Sequence, residues 1–195
     1  YPRWAQAFDI NYSFAPFDRN IYGTEISLLT SFYFPGFLPS NGIKISFEKE
    51  KQDPAKYMLG SRISLPRGYE NIISRDLNFL SIDYAAPLAY PDFNITSLLY
   101  IKRIRAALFY DYATGTGNTY YENTHEGLKA TVFHDYSETF SSAGFELMAD
   151  LHLFRIPYMI SCGLQSAWTR EDNSPVFKFL LNIDLFGMAI GRTRM

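Results

Sequence analysis

The sequence predicts an all-β chain folded as an antiparallel transmembrane β-barrel, on three observations. Apolar and polar residues alternate with a period of two along at least eight segments, as in strands with two unlike faces. The segments suit the about 9 to 11 residues that a tilted strand needs to cross a bilayer better than the about 5 to 6 of an ordinary soluble strand. The polar faces carry full charges, including Asp9, Glu25, Asp83, Asp111 and Asp150. A charged lumen with a lipid-facing apolar belt accounts for both faces.

In chain order, Phe8, Ile10, Tyr12 and Phe14 oppose Ala7, Asp9, Asn11 and Ser13 in the first segment, Ala5 to Pro16. From Tyr22 to Phe34, Ile26, Leu28, Phe32 and Phe34 oppose Glu25, Ser27, Ser31 and Tyr33. Ile43, Ile45 and Phe47 oppose Lys44, Ser46 and Glu48; Leu80, Ile82 and Tyr84 oppose Ser81 and Asp83. Ile104, Ala106, Leu108 and Tyr110 oppose Arg103, Arg105 and Asp111. Phe145, Leu147 and Leu151 then oppose Gly144, Glu146, Asp150 and His152, and Tyr158, Ile160, Cys162, Leu164 and Trp168 oppose Ser161, Gly163 and Gln165. The last segment sets Phe177, Phe179, Leu181, Ile183 and Leu185 against Lys178, Asn182 and Asp184. Aromatic residues near many segment ends, among them Tyr33, Phe34, Tyr84, Tyr112, Tyr158 and Trp168, suit interfacial girdles. A soluble antiparallel barrel that binds a ligand, or buries its apolar outer face in an oligomer, is the competing architecture.

The connections are of two kinds. Phe34 to Asn41, Pro87 to Asn94 and Phe154 to Pro157 read as short or proline-punctuated turns. They alternate with Lys49 to Arg75 and Ala113 to Phe140, which read as long irregular loops, and with the short charged stretch Thr169 to Ser174. Short turns at one end and longer loops at the other match the periplasm-to-surface asymmetry of outer-membrane barrels.

Composition narrows the function classes. The chain has 195 residues, 47% hydrophobic and 17% aromatic, which suits one packed domain and excludes a disordered chain. A net charge of −2 with scattered Lys and Arg supplies no footprint for nucleic acid. A single cysteine, Cys162, allows no intrachain disulfide. The longest uncharged stretch, Ile26 to Ile43, holds Pro35, Gly36, Pro39 and Gly42 and is no transmembrane helix. The opening on Tyr1 reads as a cut end, left by removal of a leader or by division of a longer polypeptide.

The first long loop contains Pro66-Arg67-Gly68-Tyr69-Glu70 and is followed by Ser81-Ile82-Asp83-Tyr84, then by Arg105-Ala106-Ala107-Leu108-Phe109-Tyr110-Asp111. On its own the RGY triplet reads as a solvated turn with Gly68 at positive φ. The ordered set, with Ser142-Ala143-Gly144-Phe145-Glu146 after it, resembles the BamA/TamA-like superfamily of outer-membrane assembly and translocation barrels (the bacterial surface antigen family). The resemblance covers about Arg67 to Leu185 and, more loosely, the three strands before it. It implies that these strands are the C-terminal half of a sixteen-stranded barrel, although the chain runs past Phe186 to Met195 where family members usually end on an aromatic residue. It further implies that Arg67, Gly68 and Tyr69 form a plug-loop motif and that Arg67 pairs with Asp83 and Asp111. The alternation puts both carboxylates on the charged face, and a planar guanidinium can take two-pronged bonds from carboxylates in a partly desolvated lumen. Arg103, Arg105 and Glu146 are expected as further lumen charges.

Enzyme signatures are missing. There is no GxSxG elbow, no phosphate loop and no dinucleotide fingerprint; His125-Glu126-Gly127-Leu128-Lys129 lacks the second His of a zincin. His125, His134, His152 and Cys162 have no metal-ligand spacing, so neither metal nor cofactor is expected. A triad of His152, Asp150 and Ser142 fails because Ser142 lies at the far end of its strand. The expected whole is therefore a non-enzymatic bacterial outer-membrane domain spanning residues 1–195, a fragment of a longer chain, in contact with outer-membrane lipid. Its expected role is to insert or translocate client proteins, alone or with other outer-membrane subunits, or to anchor a soluble domain. A passive pore and an adhesion barrel with surface loops are the alternatives.

Overall fold

The computed structural model describes residues 3–17, 23–38, 40–53, 59–70, 72, 74–96, 98–125, 128–154, 158–171 and 174–184, with side chains left out at 118–135 and 184. Nine strands follow one another: β1 (Ala5–Phe14), β2 (Thr24–Pro35), β3 (Gly42–Asp53), β4 (Asp76–Ala89), β5 (Phe93–Ile95), β6 (Leu99–His125), β7 (Leu128–Leu153), β8 (Met159–Thr169) and β9 (Val176–Asp184). All pairing is antiparallel, in the order β1-β2-β3-β4-β6-β7-β8-β9, with β5 added to the start of β6. Each long strand lies beside its neighbour in sequence. The sheet is open, and β1 and β9 are its edges.

Its two faces are inverted relative to a water-soluble sheet. Asp111 and Asp150 are 0% exposed, and Glu25, Glu48, Glu50 and Asp83 are buried with them. On the opposite face Ile10 is 73%, Leu108 62% and Phe177 70% exposed. The charged face is the one that residues 59–70 cover, and it is the inner one. The apolar core is correspondingly small. Ile63, from residues 59–70, is buried together with Leu77, Phe79 and Ala113 of the inner face, with Leu29, Leu65, Ile72 and Phe140 packed against them.

The outer apolar run spans eight residue steps on several strands: Ile26 to Phe34 on β2, Ile104 to Tyr112 on β6, Ala143 to Leu151 on β7 and Ile160 to Trp168 on β8. That is roughly 26 Å along each strand. The band does not run square to the strands. Its limit on β9, Phe177, is in register with Ser166, Phe145, Leu108, Tyr84, Ile43 and then Phe34 on β2. Phe34 lies eight residues from Ile26, the corresponding limit on β2. With about 3.3 Å per residue and about 4.8 Å per strand, the limit climbs roughly 26 Å across roughly 29 Å, an incline of about 40°.

Several segments that read as loop from sequence are strand. Lys49 to Asp53 continues β3, because Lys49 pairs with Leu28 and Asn78 on the two neighbouring strands and every second side chain, Glu50 and Gln52, is buried. Pro87 to Ala89 continues β4 through a register shift, and Phe93–Ile95 forms β5. The largest difference is the stretch Ala113 to Phe140, which is the outer part of one long hairpin. There β4 accompanies β6 to Thr116 and β8 accompanies β7 to Ser142. From Gly117 paired with Tyr136 to His125 paired with Leu128, β6 and β7 continue as a two-stranded ribbon about 26 Å long.

Gly144 sits on the inner face opposite Phe109. An added Cβ there would meet the Ser166 carbonyl oxygen and come within 2.6 Å of Phe109 Cζ, whereas Gly60 has open space around it. Gly144→Ala is expected to destabilise the fold by about 1–3 kcal/mol or more through overpacking, seen as a lower urea midpoint. Gly60→Ala serves as the neutral control, and equal midpoints for the two variants would refute this packing.

Candidate functional site

The inner face meets residues 59–70 through side chains acting on backbone. On β3, Glu48 Oε2 accepts the Ser64 N–H at 2.6 Å, and Glu50 Oε2 accepts those of Arg62 at 2.6 Å and Ile63 at 3.3 Å. Ser64 Oγ and Ser61 Oγ donate to the same two carboxylates, and Gln52 bridges Glu50 to the Leu59 carbonyl. Carboxylates at alternate positions of one strand thus hold a segment that has no strand partner. Buried N–H groups require an acceptor, and a charged acceptor binds them more strongly than a neutral one.

The segment then turns at Pro66-Arg67-Gly68-Tyr69, closed by the Tyr69 N–H donating to the Pro66 carbonyl at 3.2 Å. Gly68 has φ +97°, and a Cβ on it would come within 2.7 Å of Thr169 Cγ2 on β8. Glycine is required there by backbone conformation and by space alike. Tyr69 packs edge-on against Phe140 on β7 at 5.3 Å between ring centres.

Arg67 is the hub. Its Nε donates to Asp111 Oδ2 at 2.8 Å and its Nη2 to Asp111 Oδ1 at 2.9 Å, a two-pronged pair that its own backbone N–H extends with a third bond of 2.9 Å to Oδ2. Nη2 also reaches Asp83 Oδ1 at 2.6 Å and Ser81 Oγ at 3.0 Å, and Nη1 reaches Glu146 Oε1 at 2.9 Å. The guanidinium lies 3.7 Å above the centre of the Phe109 ring, a cation–π contact in a desolvated setting. Gly144 leaves the space beside that ring. Ser81 donates to Asp111 at 2.7 Å and Gln165 to Glu146 at 2.7 Å, so the carboxylates are held from both sides. Burial alone would lower the pKa of the guanidinium, but the hydrogen bond to Asp111 and the charges of Asp83, Asp111 and Glu146 outweigh it and raise it. Arg67 is a permanent cation.

Arg67, Gly68, Tyr69, Asp83 and Asp111 therefore lie together, and Glu146, expected only as a lumen charge, joins the same cluster. Ser81 and Phe109 stood in the quoted strands without a role, and their positions directly before the two aspartates on the same face were the available signal. Glu48 stood on the polar face of its strand without a role, and Glu50 was missed because β3 from Lys49 on read as loop. Arg103 and Arg105 lie elsewhere, nearer the short turns. Arg103 Nε donates to Asp150 Oδ2 at 2.8 Å, Arg105 Nε lies 3.3 Å from Oδ1, and Ser161 donates to Oδ1 at 2.7 Å. Asp150 is thus committed to arginine and serine, while His152 stacks on Tyr100 at 6.1 Å. His125 and His134 fall among the residues whose side chains are left out. Among the described residues no group of His, Cys, Asp or Glu is arranged to hold a metal ion.

Compared with protein families, with curated proteins and with solved structures, the chain finds no match. The site therefore has to be interpreted from its own geometry, which is that of a pinned turn: one cation, three carboxylates on three strands, and a glycine-dependent bend.

Arg67→Ala leaves Asp111 buried without its cation and is expected to cost about 3–5 kcal/mol, with faster proteolysis within residues 59–70. Arg67→Lys keeps the charge but loses the fork, and should lie between the two. Urea midpoints and cleavage rates in the folded protein check both; full retention by Arg67→Lys would refute the two-pronged pairing.

Proposed function

We propose that this chain is the membrane-spanning part of a bacterial outer-membrane β-barrel whose pinned turn plugs the lumen, of the BamA/TamA-like kind that inserts or translocates other proteins. The observation that carries the reading is the outer apolar band and its incline. A band of exposed Ile, Leu, Phe and Tyr that climbs across the strands at about 40° becomes level when the strands tilt by that angle, and barrel strands tilt about 35–45° from their axis. Projected through that tilt, the band is roughly 20 Å tall before side chains are added, close to the about 25 Å of an outer-membrane belt. Trp4 beside Phe34 and Trp168 beside Phe145 stand at opposite margins of the band, where amphipathic rings are favoured. No helix among the described residues is long and apolar enough to cross a membrane, so any crossing is by strands.

The pinned turn supports the larger barrel. An eight-stranded barrel has an interior just wide enough for side chains, whereas here residues 59–70 also lie on the inner face. A closed wall around them needs more strands than the eight long ones, from the same polypeptide or from a second subunit. A client strand would add by backbone pairing at an exposed edge of the completed wall. In this mechanism no bond is made or broken. Arg67, Gly68 and Tyr69 keep the turn seated on Asp83, Asp111 and Glu146, and client strands meet a wall of fixed shape.

Leu108→Arg tests the membrane reading. In a lipid-facing position near mid-belt the substitution is expected to cost about 2–4 kcal/mol of folding stability in bilayers. Leu108 is exposed, so in a water-soluble sheet the same change would be neutral, and that outcome would sink the proposal. Function is tested with Arg67→Ala in a reconstituted assembly assay and in bilayer recordings. Loss of client insertion is expected; a steady ion-selective conductance with no effect of the substitution would favour a passive pore instead.

A further inference from the structure

The charges of the inner face change sign along the strands. Toward the long connections Glu25, Glu48 and Glu50 are buried, Glu25 lying 3.9 Å from the Arg62 guanidinium and the other two accepting backbone N–H groups. At mid-height Asp83, Asp111 and Glu146 surround Arg67, with Lys44 in register beside Asp83. Toward the short turns the balance reverses, because Arg103 and Arg105 share one carboxylate, Asp150.

That carboxylate already accepts from Arg103, through both Nε and Nη2, and from Ser161. Arg103 occupies Oδ2, Ser161 donates to Oδ1, and Arg105 Nε at 3.3 Å is sealed from solvent without a hydrogen bond to anything. The residues in register with the two arginines on β4, β7, β8 and β9 bring no second carboxylate among the described side chains. Because Arg103 Nη2 also donates to Asp150 Oδ2, the forked donors without a bond are those of Arg105, and both side chains remain partly exposed, at 37% and 39%. One surplus positive charge and free N–H donors in a planar fork suit an anion with several oxygens. Lipid headgroups meet the apolar side of the sheet and cannot reach this one, and acidic side chains repel an anion from the other half of the inner face.

We infer that Arg103 and Arg105 form a binding station for a small dissolved phosphate-type oxyanion at the short-turn end of the inner face. The station gives the interior a polarity: anions are held at one mouth and repelled by the acidic mouth opposite. The binding depends on the inner face alone, whereas the exclusion of lipid headgroups rests on the membrane reading, which Leu108→Arg judges separately.

Arginine-specific dicarbonyl labelling of the full chain in detergent, read by peptide mass spectrometry, tests it. Inorganic phosphate is expected to slow modification of Arg105 severalfold relative to potassium chloride of equal ionic strength, while Arg3 is unaffected. Arg103→Gln restores a one-to-one balance with Asp150 and should abolish the protection. Equal rates in phosphate and chloride overturn the inference, as do an Arg105 that is unreactive in both and protection that persists in Arg103→Gln. If Arg103→Gln does not fold, the phosphate and chloride comparison on the unsubstituted protein decides alone.

Discussion

A carboxylate removed from water must be given a cation or a set of N–H and O–H donors, because leaving it bare costs several kcal/mol. In this sheet that requirement is met again and again on the inner face, and it governs where everything else goes. Glu48 and Glu50 are satisfied by the backbone of residues 61–64, Asp111 by Arg67, and Asp150 by a pair of arginines and a serine. The path of residues 59–70 follows from it. With few apolar contacts to guide it, this segment lies where the acceptors are.

The inversion of the faces has the same origin. Once the inner surface is committed to charge and hydrogen bonding, the Phe, Ile and Leu rows are left outside, apart from the small group buried with Ile63. A sheet of this kind is stable only where its outside meets something other than water, since burying apolar surface is the main favourable term in folding. Under the proposed membrane reading, acyl chains would meet that need without any specific partner, and a single layer of strands would suffice.

Much of this could be read from the amino-acid order, for a specific reason. Period-two alternation reports which face a side chain takes, and it does so for Asp83 and Asp111 as plainly as for Ile82 and Tyr110. Partnership across long separations is a different matter. That Arg67 also grips Glu146 depends on the stacking order of β4, β6 and β7, which alternation does not encode. The ends of strands were the weakest part. Lys49, Glu50 and Lys51 read as the start of a polar loop until the segment that covers Glu50 is known, and Gly115, Gly117 and Asn118 look like loop until their ladder with 135–138 is seen. Pro87 reads as a stop but sits next to a register shift, where a missing N–H is tolerated.

The order of synthesis adds a consequence to the pinned turn. Neighbours in sequence are neighbours in the sheet, so hairpins can zip up one after another as the chain becomes available. Arg67 is the exception: its acceptors lie 16, 44 and 79 residues downstream. The turn therefore cannot settle until β7 has arrived, and Gly68 cannot nest against Thr169 until β8 has followed. A seated Arg67 is thus a late event in folding, a built-in record that six of the eight long strands have already been laid.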